Sequence, residues 1–166
     1  MSTHLDRHRA LKTAKQEFAK RLLAIPADKR HVQPSDGGFS PAELMEHLAK
    51  AEEFNLKFLR KVGPQQIASR RVKPGPFYNM ILGSFTNLKR TSAPPMLKPA
   101  KTPDMDSHHS TWMKHLEEVE SFITQVPSGS SPFIKMNFLF GTLSADQFLA
   151  FQEAHMKYHD HFFPQV

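Results

Sequence analysis

The chain has no cysteine among its 166 residues. That excludes disulfides, thiolate metal ligands and a cysteine nucleophile, so any metal site must be built from His, Asp, Glu, Asn or Gln. Long apolar runs are also missing. The longest, such as Phe138 to Phe140, fall far short of a membrane span, and the polar start MSTHLDRHRA lacks the apolar core of a secretory signal. A cytoplasmic protein is the expectation. Acidic residues are absent from Phe54 to Pro103, where Lys57, Arg60, Lys61, Arg70, Arg71, Lys73, Lys89, Arg90, Lys98 and Lys101 all fall. These account for nearly half of the 22 Lys and Arg residues and much of the +6 formal charge. Such a stretch can grip an anionic cosubstrate, an acidic partner or nucleic acid, and it is also what a solvated connection looks like.

With 39% hydrophobic residues the chain can bury one core, and a single domain over residues 1–166 is expected. Leu11, Ala14, Phe18, Leu22 and Ile25 recur at steps of three and four, which predicts an amphipathic helix over residues 3 to 25, closed by Pro26. In FSPAELMEHLAKAEEFNLKFLRKVG, Ser40 is a candidate N-cap, Pro41 fits the first helical position, Glu43 completes a capping box, and Gly63 with Pro64 marks the stop. His109, Trp112, Leu116, Val119, Ile123 and Val126 predict a third helix ending at VPSGSSP. Ser144, with Gln147 three residues on, opens a fourth that Pro164 closes.

Between the second and third of these helices lies a connection rich in proline, notably APPMLKPAKTP. Fixed φ angles and missing N–H groups oppose regular structure there. Within it, PFYNMILGSF is apolar enough for a short helix or a segment packed on the core. No run shows strand alternation and no internal repeat is visible. The expected fold is therefore all-α: a four-helix bundle with a long proline-rich crossover between helices two and three.

Three of the ten histidines stand out. His155 and His159 are four apart in AHMKYHDHFF, so on a helix they share one face, whereas His161 is rotated well away from His159 and reads as solvated or facing the helix dipole. His47 lies beside Leu44, Leu48 and Ala51 on the stripe that should face the core. Alone it could be a core histidine satisfied by a hydrogen bond. Together the three supply the nitrogen set of a metal site that keeps open positions. Met156 follows His155 where a zincin would carry its general-base Glu; Glu46, Gln152, Glu153 and Asp160 stand near the three in sequence with orientations open. His4, His8 and His31 read as surface residues, and so does His109, which could otherwise support the site from behind. Trp112 and the helix-four phenylalanines Phe148, Phe151, Phe162 and Phe163 read as core.

SPAELMEHLAKAEEF and GTLSADQFLAFQEAHMKYHDHF together resemble the DinB/YfiT-like superfamily of metalloenzymes. The resemblance implies a four-helix bundle in up-down-down-up order holding a divalent metal, often zinc or nickel, between one helix-two histidine and a His-x-x-x-His pair on the last helix. His47, His155 and His159 match those places. It further implies a thiol-dependent transferase or isomerase using a low-molecular-weight thiol such as mycothiol, bacillithiol or glutathione, frequently as a homodimer. Hydrolysis is a further option, and a non-catalytic bundle binding an anionic partner or nucleic acid through its basic crossover is the rival.

Overall fold

The computed structural model describes residues 3–61, 71–125, 132–136, 139–164 and 166. The expected helix stop at Gly63 and Pro64, Arg70 of the basic stretch, Val126 of the third helical stripe, Phe138 and most of the VPSGSSP loop lie outside the described residues.

Four long helices form where the periodicity places them. Helix α1, His4–Leu23, starts at a capping box in which Thr3 and Asp6 satisfy each other's backbone N–H groups. Its inward stripe is His8, Leu11, Lys15, Phe18, Ala19 and Leu22. Helix α2, Pro41–Lys61, opens with the expected box: Ser40 Oγ accepts from the Glu43 N–H at 3.3 Å, and the Glu43 carboxylate accepts from the Ser40 N–H at 2.8 Å. A short helix α3, Pro76–Thr86, is made by PFYNMILGSF, with proline in its first turn where the missing N–H costs no bond. Helix α4, Met105–Ile123, is capped by Asp104, and helix α5, Ala145–His161, by the Ser144–Gln147 box. Helix α2 packs on α4, α1 on α4 and α5, and α3 on α5. The core between them holds Leu22, Leu44, Leu56, Trp112, Leu116, Phe148 and Leu149, all at most 2% exposed.

The chain is thus not the plain up-down-down-up four-helix bundle. Among the described residues it has a fifth helix, α3, and a three-stranded antiparallel sheet of β1 (Lys73–Pro74), β2 (Pro132–Lys135) and β3 (Gly141–Ser144) in the order β1-β3-β2. β3 is central: Thr142 faces Lys73 on one side and Lys135 on the other. Strands of two to four residues are too short to display alternation, and two are edge strands carrying Pro74 and Pro132, where a missing donor is tolerated. Gly141 permits a close approach of backbone within the sheet. Its φ is +77°, and a Cβ there would come within 2.2 Å of the Lys73 carbonyl oxygen. Ile134 and Leu143 point into the core, so the sheet lies against the start of α5. No helix of the described residues is long and apolar enough to cross a membrane.

Candidate metal centre

His47 sits in the first third of α2 and is 4% exposed; His155 and His159 sit one turn apart on α5 and are 9% and 7% exposed. Their rings converge. The His155 Nε2 lies 2.9 Å from the His159 Nε2 and 3.4 Å from the His47 Nε2, and the ligating atoms of all three lie within 4.8 Å of one another. Nitrogens held at about 2.0–2.1 Å around a tetrahedral ion stand roughly 3.3–3.4 Å apart, close to the two spacings about His155, and the three together can hold a metal ion. A single ring N–H serves one of these contacts, whereas one ion satisfies all three lone pairs.

Each ring is oriented by its neighbours. The His47 Nδ1–H donates to the Leu97 carbonyl at 3.0 Å, which fixes the tautomer and leaves Nε2 bare toward the other rings. Leu97 belongs to the 3-10 turn Pro95–Leu97 in the proline-rich stretch. The Phe85 ring of α3 stacks on His155 with centroids 5.0 Å apart, and Tyr158 packs edge-on against His159. Burial, then the closeness of the other rings, holds His155 and His159 well below the ordinary imidazole value. Burial lowers His47 too, against the opposing pull of the Leu97 hydrogen bond. Neutral imidazole is the form that ligates a metal.

The rings form part of the lining of a cavity of about 690 Å³. Phe39, Phe54, Phe77, Phe85, Phe151 and Phe162 supply apolar wall, and Gln152, Tyr158, Arg90 and Lys98 are among its polar members. An apolar hollow with few polar groups around a metal-ligating set is the usual form of a small-molecule site. Arg90 is already engaged, paired with Asp36 and lying 4.2 Å over the Phe162 ring.

The structure sorts the remaining sequence candidates. His161 is exposed and outside the cluster, as its rotation on the helix requires. His109 is half-buried on α4 and also outside it. His8 corrects its surface reading: it is 2% exposed, because it belongs to the stripe that continues through Leu11 and Lys15. Glu153 is turned to Arg7 and Asp160 to Arg21, both on α1 and off the cavity. Glu46 is buried against the Ala100 N–H and Lys50. Burial alone would raise its pKa, but those partners bring it below the ordinary carboxylate value. Gln152 alone of the four lines the cavity. Trp112 and Phe148 are core, and Phe151 and Phe163 pack against it; Phe151 and Phe162 also line the cavity. The sequence offered no sign of the Leu97 carbonyl, and the only hint of Phe85 was the apolar character of PFYNMILGSF.

Helices packed around a buried three-histidine cluster that can hold a metal ion define the class: a helical protein with the features of a metal-dependent enzyme. The chain belongs to the DinB superfamily, whose profile matches residues 10–163. No curated protein and no solved structure gave a match.

Proposed function

We propose that the protein is a metal-dependent enzyme in which His47, His155 and His159 ligate one divalent ion, zinc or nickel, at the floor of the cavity. The observation that carries this reading is the convergence of three buried, neutral imidazoles from two helices on one point that opens into an apolar hollow. Bound there, the ion would act as a Lewis acid and favour the deprotonated form of a thiol or water. The protein's own contribution is to keep the three rings neutral and fixed, to exclude bulk water with the phenylalanine walls, and to leave room for a small substrate.

The family supports thiol-dependent S-transfer or isomerisation with a low-molecular-weight thiol as cosubstrate. It supports this over hydrolysis, for which the described cavity lining offers no free carboxylate: its one acidic residue, Glu43, is bound to Gln33 and to the cap of α2. A homodimer in the cytoplasm belongs to the same proposal. The rival, a non-catalytic bundle that binds an anionic partner through its basic stretch, draws less support. Within that stretch Arg60 is paired with Glu118 and Arg90 with Asp36.

Elemental analysis of untagged protein beside His47→Ala tests the reading. One equivalent of metal in the wild type and none in the variant is expected. A wild type without metal, even after incubation with zinc or nickel, removes it.

A further inference from the structure

Behind the histidine cluster a second polar group is buried where the helices meet. Lys15 of α1, Glu52 of α2 and Gln152 of α5 are 3%, 3% and 4% exposed. The Lys15 ammonium donates to Glu52 Oε2 at 2.5 Å and to Gln152 Oε1 at 2.9 Å, and the Trp112 indole N–H points at the same Glu52 oxygen at 3.4 Å. An ammonium can only donate, so the carboxamide oxygen of Gln152 must face Lys15 and its NH₂ must face away.

Away from Lys15 lies the cavity. Gln152 lines it and precedes His155 by three residues on α5, on the same face of the helix. Among the described residues no group accepts a hydrogen bond from the Gln152 Nε2. The Nε2 is not among the sealed, unpartnered polar atoms of the core, so it opens on the cavity and takes its partner there. The ammonium on its oxygen also polarises the amide and strengthens its N–H groups as donors.

We propose that Gln152 is a ligand-recognition residue. Its NH₂ donates to an oxygen acceptor, a carbonyl or carboxylate, on a molecule seated at the three imidazoles. Lys15 and Glu52 are positioning residues that lock the amide with its donors toward the cavity. The substrate class that follows is a small molecule presenting such an oxygen beside the atom that meets the metal; ligands with only donors or apolar groups at that place gain nothing from Gln152. The inference rests on the cluster being a metal site.

Two probes separate the possibilities. Acetate offers a second oxygen once one is bound to the metal, whereas bound imidazole offers only an N–H. Wild type and Gln152→Met are loaded with Co²⁺, their metal content is measured, and each is titrated with both probes by visible absorption. Equal metal content is expected, with acetate affinity about tenfold weaker in the variant and imidazole affinity within about twofold. Full metal content with unchanged acetate affinity overturns the role of Gln152 and leaves the metal site standing. A wild type that holds no metal overturns both. If Gln152→Met does not fold, the wild type with Zn²⁺ decides by NMR. The Gln152 side-chain amide protons should move downfield with acetate and not with imidazole, and their failure to move with acetate overturns the proposal.

Discussion

The Nδ1 of His47 lies 3.0 Å from the carbonyl oxygen of Leu97, fifty residues further along the chain. A turn in the proline-rich stretch thereby sets the tautomer of a histidine on α2 and aims its other nitrogen at the pair on α5. The stretch is a structural support of the site as well as a connection.

The three rings should differ sharply from their neighbour in sequence. His155→Ala and His159→Ala are expected to abolish stoichiometric metal, and His161→Ala to retain it, as measured by elemental analysis after dialysis. Equal losses from all three would contradict the convergence seen here.

Replacing Pro94 and Pro95 by glycine should loosen the turn that presents Leu97 without touching a ligand. Metal affinity is expected to fall by roughly 10-fold, the lower end of what loss of an orienting hydrogen bond to a ligating histidine costs. Helical content by circular dichroism should hold. An unchanged affinity would show that the packing of Phe39 and Phe85 suffices to orient the rings.

Lys15→Met should destabilise the fold by about 3–5 kcal/mol, since it leaves the buried Glu52 carboxylate uncompensated. The double variant Lys15→Met/Glu52→Met should recover most of that loss. Denaturant unfolding of the three proteins checks it, and a double variant no more stable than the single would mean that the pair itself, rather than the orphaned charge, carries the energy.

His8 provides a pH dependence with a defined sign. Burial first, then the Lys15 and Lys12 charges, lower its pKa against the opposing pull of Glu52 and Glu120, and no partner for its Nε2 is found among the described residues. Below pH 6.5 the unfolded chain takes up a proton that the folded one refuses. Stability present above that pH is therefore lost as pH falls toward the folded-state value, by at most about 1.4 kcal/mol per pH unit. In metal-free protein, His8→Phe should flatten the fall in stability between pH 7 and 5. Parallel curves for the two proteins would place the titration elsewhere.

The positions of α1, α2, α4 and α5 were legible because three- and four-residue periodicity and the Ser40 and Ser144 caps are local signals, set by residues that touch within one or two turns. The His155–His159 pair was legible for the same reason, and the outward rotation of His161 followed from helix geometry alone. His8 was misjudged because its polar neighbours in sequence hid a position on the inward stripe of α1.

What the sequence by itself determined is the four long helices, the shared face of His155 and His159, the absence of any cysteine ligand or nucleophile and the inward stripe that carries His47. Only the tertiary structure decided that His47 meets the pair, that Leu97 and Phe85 orient the rings, that Gln152 rather than Glu153 or Asp160 faces the cavity, and that short strands close one side. Those relations join groups far apart in the chain, such as Lys73 with Thr142 or Lys15 with Gln152. They arise because buried polar groups must find partners across the core, and no local periodicity records where those partners come from.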